Sequence, residues 1–220
     1  MNRRQNIIAA AIFLAAAALL LALHGQRMVL TNDEGIVLES AQRMAAGGRL
    51  YVDFFGYMSP GSYWLQALVF RLLGVALWTG RLIVILDFAL QCALVYWLAA
   101  KLASWRAAAA VTLTFAGFQV ADPAFLTSAH RWDSSTFALV GLCLAVSAFL
   151  NTEGRGRWWK WLASGAALAA AAWCTPSMAI VAVVVALWSF DYATLRVASL
   201  TMTKVVSATR YVLTGLPLPG

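Results

Sequence analysis

The chain has 220 residues, of which 62% are hydrophobic and 11% are charged, and its mean hydropathy is +0.77. This composition excludes an ordinary soluble domain and indicates a membrane protein. The formal net charge of +7 does not indicate a nucleic-acid partner, because the basic residues cluster at the ends of apolar runs, where they orient a membrane protein.

The apolar runs predict six membrane-spanning helices. A hydrocarbon core about 30 Å thick needs roughly 20 apolar residues in a helix, or fewer where short spans pack in a bundle. The basic start before the first run also fits a signal peptide, but the length of the run and the spans behind it favour an uncleaved helix. We therefore expect an all-α polytopic transmembrane bundle over residues 1–195. Its predicted spans are residues 6–23, 82–100, 105–121, 134–150, 160–174 and 177–195.

The basic residues predict the orientation of these spans. Ten of the sixteen fall at the N-terminus and in the alternate loops that share its side: Arg3, Arg4, Lys101, Arg106, Arg155, Arg157, Lys160, Arg196, Lys204 and Arg210. The positive-inside rule then predicts a cytoplasmic N-terminus. The same assignment puts six of the nine acids outside: Asp33, Glu34, Glu39, Asp53, Asp122 and Asp133. Residues 196–220 are then predicted to be a cytoplasmic tail, or to mark the point at which a longer protein is truncated.

The first outer loop, residues 24–81, is predicted to hold two amphipathic helices at the membrane surface. The first begins at "TNDE", which has the spacing of a capping box from Thr31 to Glu34, and ends at Gly47-Gly48. The second covers residues 61–73 and is too short to cross the bilayer, at about 20 Å. Ser59 is its predicted N-cap, Pro60 its first residue and Gly74 its end. A short re-entrant or tilted span is the alternative for this segment.

Asp33 and Glu34 have two interpretations at this stage. As part of the cap they stabilise a helix N-terminus, where the helix dipole favours negative charge. The same position keeps a carboxylate ionised, so that it could accept a proton from a hydroxyl or hold a divalent cation. Both interpretations remain open from the residues alone.

Asp87 lies inside the second predicted span, where an ionisable side chain is a functional candidate by default. Gln91 follows one helical turn later. This spacing favours hydrogen bonding to a neighbouring helix.

The segment "DEGIVLESAQRMAAGGRLYVDFFGYMSPGSYWLQALVFRLLG" resembles the first outer loop of bacterial polyprenyl-phosphate-sugar glycosyltransferases of the GT-C class. This broad family is related to protein O-mannosyltransferases and to the aminoarabinose transferase of lipid A. "SAHRWDSSTFALVGLCLAV" resembles the second outer loop, and "AAAWCTPSMAIV" a further stretch, with Thr175 in place of the usual lysine. The resemblance covers about residues 5–190 of a family whose members are longer. The matching positions in and after the first loop are Asp33-Glu34, Ala41, Met44, Gly48, Tyr51, Asp53, Pro60, Leu73-Gly74 and Arg81.

The resemblance implies transfer of a sugar from a polyprenyl-phosphate carrier to an acceptor hydroxyl at the outer face of the bacterial inner membrane. Asp33 would be the general base or would position the acceptor, with Glu34 beside it. Arg131 would stabilise the phosphate, since a guanidinium matches phosphate oxygens in a bidentate way. His130 and Asp133 could orient Arg131 or help to hold a metal; a divalent cation stays open as a cofactor and no residue is assigned as a metal ligand.

Asp53 and Tyr57 complete the predicted substrate-binding residues of the first loop. Aromatic side chains around them could stack on sugar or hold lipid, and anchoring at the membrane interface explains them equally well. The predicted partners are a lipid-linked sugar donor, a glycan, lipid or protein acceptor, and membrane lipids. The alternative function is a non-enzymatic polytopic membrane protein, such as a transporter-like or scaffold subunit.

Overall fold

The computed structural model describes residues 3–24, 32–121, 129–150 and 157–190 of the chain. Within these ranges the regular structure is helical and contains no strand, apart from an isolated bridge between Leu50 and Phe54. The expected all-α fold is thus confirmed. The helices are α1 (Arg3–His24), α2 (Asn32–Ala45), α3 (Pro60–Leu73), α4 (Leu77–Leu102), α5 (Trp105–Ala121), α6 (His130–Leu150), α7 (Arg157–Cys174), a 3₁₀ turn (Pro176–Met178) and α8 (179–190).

Within the described ranges, three helical segments are long and apolar enough to cross a membrane: Arg4–Leu23, Leu77–Leu102 and Arg131–Leu150. They contain the predicted spans 6–23, 82–100 and 134–150. The other three predicted spans coincide with α5, α7 and the helix Pro176–Phe190, which is apolar but shorter. The structure therefore supports a membrane protein with three candidate spans, and the six-span arrangement stays a prediction.

Helix α4 is the central element of the first part of the bundle, and α1 runs antiparallel along it. Gln5 Nε2 donates to the Ala100 carbonyl at 3.4 Å near the end of α4. Leu20, at the other end of α1, is buried against Phe88. Helix α5 then returns along α4, with the fully buried Ala108 packed near Ala100. These contacts are almost entirely apolar.

Helices α6 and α7 form an antiparallel hairpin whose backbones approach closely. Ser164 Oγ donates to the Gly141 carbonyl at 2.7 Å, and Lys160 Nζ donates to Ser147 Oγ at 2.9 Å. A Cβ added to Gly141 would lie 2.7 Å from Leu168 Cγ. Small residues that permit such approach are typical of helix contacts in membranes.

Helices α2 and α3, residues 32–73, form a second hairpin. Helix α2 ends at Ala45, and Gly47, two residues later, has a φ of 102°. The amides of Gly47 and Gly48 donate to the Met44 and Arg43 carbonyls, which closes the helix as a Schellman motif. Pro60 begins α3 and Gly74, with φ of 83°, follows its end, as predicted. Ser59 is the N-cap residue, but its hydroxyl makes no capping bond. Gly47-Gly48, Pro60 and Gly74 thus mark helix ends as predicted, whereas the predicted cap of α2 at Thr31 lies outside the described residues.

The hairpin packs through one apolar face of each helix. The buried residues of this cluster are Val37, Ala41, Met44, Tyr63, Ala67 and Phe70. The opposite face of α3 leaves Trp64, Leu68 and Leu72 exposed. Helix α2 is thus amphipathic as predicted, with Glu39 and Arg43 exposed. Helix α3 differs from the prediction, because its exposed face is also apolar.

The α2–α3 hairpin lies at one end of the helices. Its neighbours there are the start of α4, the start of α6 and the end of α7: Glu34 pairs with Arg81, Ser62 adjoins Asp133, and Gly61 meets Cys174. We call this region the loop end. It contains the described parts of both predicted outer loops.

Candidate functional site

The first turn of α2 is attached to α4 by a buried ion pair between Glu34 and Arg81. Arg81 Nε and Nη2 donate to the two oxygens of Glu34, each at 2.9 Å. The side chains are 6% and 3% exposed. A bidentate pair of this kind fixes geometry as well as charge. It also joins two positions of the first-loop pattern that are 47 residues apart in the sequence.

The burial of Glu34 bears on its predicted catalytic role. A general base must come within hydrogen-bonding distance of the proton that it removes. Both oxygens of Glu34 already accept from Arg81. This arrangement favours a positioning role for Glu34, which holds α2 and thereby its neighbour Asp33 in place.

Asp33 and His130 lie at helix starts within the loop end. Asp33 is in the first turn of α2, and His130 is the first residue of α6. Their side chains fall outside the described part of the structure, as do Thr31 of the predicted capping box and Asp122. The roles predicted for Asp33 and His130 remain predictions.

Asp53 and Tyr57 lie in the turn between α2 and α3. The Arg49 amide donates to Asp53 Oδ2 at 2.8 Å, and the Arg49 guanidinium donates to Oδ1 at 3.1 Å. These bonds from Arg49 lower the pKa of the Asp53 carboxyl. The Tyr51 hydroxyl donates to the Met58 carbonyl across the same turn, while Tyr57 is 70% exposed. Asp53 therefore stabilises its own turn, and Tyr57 is accessible.

A small polar cavity lies where α2, α3, α4 and α6 converge. Its volume is about 10 Å³, which is close to the space that one water molecule needs. Ser62, Gln66 and Asp133 supply its polar lining, and the remaining lining residues are Val37, Ile83, Val84, Ala129 and Trp132. The three polar residues are between 2% and 5% exposed. Asp133 is thus brought beside the first-loop helices, while Arg131 lies half-buried two residues before it.

Sequence reasoning did not place Asp133 of α6 beside α4. Asp133 is buried, and Asp87 is half-buried with one carboxylate oxygen fully buried. Gln91 Nε2 donates to Thr136 Oγ1 at 2.8 Å and to the Trp132 carbonyl at 3.2 Å, which fixes the register of α4 and α6. Hydrogen bonding from this turn of α4 to a neighbouring helix was predicted. The spacing of Asp87 and Gln91 was the available signal, but it does not identify the facing residue.

An apolar groove of about 320 Å³ runs between α3, α6 and α7 beside the cavity. Trp64, Leu68 and Arg71 line it from α3, and Trp173 lines it from α7. Gly61 brings α3 close to α7, because a Cβ there would lie 2.8 Å from Cys174 Sγ and 2.9 Å from its amide nitrogen. Ser62, the next residue, faces the cavity instead. The first turn of α3 therefore separates an apolar groove from a buried polar site.

The described residues include no group of three or more His, Cys, Asp and Glu side chains that could hold a metal ion. Comparisons with protein-family models, curated proteins and solved structures find no match for the chain. Any functional assignment thus depends on the residues and their geometry.

Proposed function

We propose that the chain is a membrane glycosyltransferase, or the N-terminal part of one. It transfers a sugar from a polyprenyl-phosphate donor to an acceptor hydroxyl. In this proposal the loop end lies at the outer face of the bacterial inner membrane, and the N-terminus is cytoplasmic, as the basic residues predict. The six predicted spans form a polytopic bundle.

The observation that carries the proposal is the convergence of both resembling loops on one buried site. Two positions of the first-loop pattern, Glu34 and Arg81, hold α2 against the start of α4. Asp133, from the second resembling stretch, lines the same cavity as Val37 of α2 and Ser62 of α3. Catalytic groups from separate segments must meet in this way to act on one substrate.

The groove next to this site supports a lipid-linked donor. Its lining is almost wholly apolar, with indole rings from Trp64 and Trp173 and one basic residue, Arg71. A polyprenyl chain gains free energy wherever apolar surface covers it. Arg71 Nη2 donates to the Met44 carbonyl at 2.8 Å, so its guanidinium is held at the α2–α3 hairpin.

The proposed division of roles follows from these positions. Asp33 accepts the proton of the acceptor hydroxyl or positions that hydroxyl, and Glu34 holds its helix through Arg81. Arg131 stabilises the phosphate that leaves the sugar, because charge develops there in the transition state. Asp133 orients groups beside Arg131, and Tyr57 and Asp53 line the approach to the site.

The buried ion pair also favours the alternative function, a non-enzymatic polytopic membrane protein. Glu34 and Arg81 satisfy each other, so this part of the acidic pattern has a sufficient structural explanation. The two functions differ in what Asp33 does, because only the transferase needs its carboxylate for chemistry.

A transfer assay with polyprenyl-phosphate sugars tests the proposal. The full chain in detergent or nanodiscs is compared with Asp33→Asn and with the control Glu39→Gln on the same helix. Glu39 is exposed, and its one ion pair within the described residues is with Arg43, one turn away. We expect Asp33→Asn to lower the rate by 10²-fold or more, in the range typical of a lost general base, with the helical circular dichroism unchanged.

Two results would contradict the proposal. A chain that folds but transfers no sugar from any polyprenyl-phosphate donor would favour the non-enzymatic alternative. Equal rates for Asp33→Asn and Glu39→Gln would remove Asp33 from the mechanism while leaving a transferase.

A further inference from the structure

A second apolar groove, of about 350 Å³, opens between α1 and α5 on the surface of α4. Ligand sites typically have volumes of about 300–1,000 Å³. Only two lining residues carry a polar atom in the side chain: the Thr112 hydroxyl donates to the Ala108 carbonyl of its own helix at 2.8 Å, and the Cys92 thiol is buried. The apolar lining includes Ala15 and Leu19 of α1, Phe88 of α4, and Ala109, Leu113 and Ala116 of α5.

The helices around this groove have one end in common, opposite the loop end. Helix α1 contains one of the candidate spans, and Gln5 near its start bonds Ala100 near the end of α4. Helix α5 begins at Trp105, three residues after α4 ends. The exposed Arg4 and Arg106 therefore lie at the same end. A helix of about 20 apolar residues spans the hydrocarbon core, so its ends reach the headgroup region of the bilayer.

Arg106 is held on the side of α5 that lines the groove. Trp105 precedes Ala109 and Thr112 by four and seven residues, a spacing that places these three side chains on one face of the helix. The Arg106 guanidinium lies over the Trp105 ring, with its carbon 5.5 Å from the ring centroid. Within the described structure Arg106 forms no ion pair with a carboxylate. A guanidinium is therefore available at the mouth of the groove.

The charge at this end favours an anion. The first three turns of α1 and of α5 and the last three turns of α4 contain no acidic residue. Hydrocarbon covers an apolar groove in a membrane whatever the lipid, so selectivity must come from the headgroup, and a guanidinium matches phosphate oxygens. We propose that this groove binds one anionic phospholipid, with an acyl chain between α1 and α5 and the headgroup phosphate on Arg106.

Native mass spectrometry of the full chain in detergent tests the proposal, with phosphatidylglycerol and phosphatidylcholine of the same acyl chains as probes. We expect the anionic lipid to bind about fivefold more tightly, which is the contribution of one basic residue beside anionic lipid, and Arg106→Gln to abolish this preference. Lys101→Gln is the matched control. It removes the same charge at the same end, but Lys101 follows Cys92 by nine residues and so lies on the opposite face of α4 from the groove. This variant should keep the preference.

Ala109→Phe fills the groove while Arg106 stays in place, and it should weaken phosphatidylglycerol binding by a similar factor. If this variant fails to fold by circular dichroism, Leu113→Gln takes its place, because Leu113 lines the groove and is 73% exposed. Equal binding of the two lipids to the unmodified chain would overturn the proposal, as would equal losses in the Arg106→Gln and Lys101→Gln variants. Binding that the groove variant leaves unchanged would overturn it too. The readout is lipid binding, so it is independent of sugar transfer.

Discussion

The loop end and the α1–α4–α5 contact are held together by different forces. At the loop end, the ion pair of Glu34 with Arg81 is buried, and so is the carboxyl group of Asp133. Along α1, α4 and α5 the packed residues are apolar, and many are alanine. A buried polar group is costly unless its partner is correctly placed, whereas apolar contacts tolerate small shifts. The loop end is therefore the part of the fold whose geometry is specified most sharply.

The largest expected effect comes from breaking the buried ion pair. Glu34→Ala leaves the Arg81 guanidinium buried without its carboxylate, which should cost about 3–5 kcal/mol in the free energy of unfolding. The same substitution at Glu39, on the same helix, removes an exposed pair with Arg43 and should cost about 0.5 kcal/mol or less. Denaturant titration in detergent measures both.

The double variant Glu34→Ala/Arg81→Ala tests whether the loss comes from the unpaired charge. It should be less destabilised than the sum of the two single variants, because neither charge of the pair is left buried without the other. Additive losses of unfolding free energy would show that the two side chains do not depend on each other. The loop end would then not differ from the apolar α1–α4–α5 contact in the way described.

A steric change at the loop end should have the next largest effect. Gly61→Ala would place a Cβ within 3.0 Å of backbone atoms of Cys174, so α3 must move away from α7. Overpacking of this kind costs about 1–3 kcal/mol. Gly165→Ala in α7 is the matched control, because nothing lies within 4 Å of its added Cβ. Thermal unfolding should separate the two variants, and equal melting temperatures would argue against close packing of α3 on α7.

Loss of an interhelical hydrogen bond should have a smaller effect. Gln91→Leu removes the bonds from α4 to Trp132 and Thr136 of α6, and bonds of this kind within membranes are worth about 1 kcal/mol. Thr112→Val in α5 removes only a bond to Ala108 of its own helix. We expect Gln91→Leu to lower the melting temperature and Thr112→Val to leave it nearly unchanged. A larger decrease for Thr112→Val would contradict this prediction.

The helix ends of the loop could be predicted from sequence because their causes are local. Gly47 and Gly74 adopt positive φ, and Pro60 has a fixed φ suited to the first helical turn. The composition likewise predicted a membrane protein, and three of the described helices have the length and hydropathy needed to cross a membrane. Each of these features depends on residues close together in the chain.

The long-range partners could not be predicted in the same way. Glu34 was interpreted as a cap or a catalytic group, yet its side chain bonds a residue 47 positions away. Asp87 was expected to contact a neighbouring helix, but a single span does not reveal which residue faces it. Tertiary packing decides these contacts, so the candidate site became visible only when four helices were brought together.

The smallest expected effect concerns the exposed turn, where Arg49 lowers the pKa of the Asp53 carboxyl through its hydrogen bonds. A carboxyl whose pKa is lower in the folded state stabilises that state above its ordinary pKa, and this contribution is lost as pH falls through the folded-state pKa. Limited proteolysis between α2 and α3 should therefore become faster on acidification, while the global melting temperature changes little because the pair is exposed. The Asp53→Asn variant should be cleaved by the protease at a rate that no longer depends on pH in this range. If acid leaves the unmodified turn as resistant to proteolysis as before, the bonds from Arg49 do not hold the turn. The order of the loop end then comes from its buried contacts.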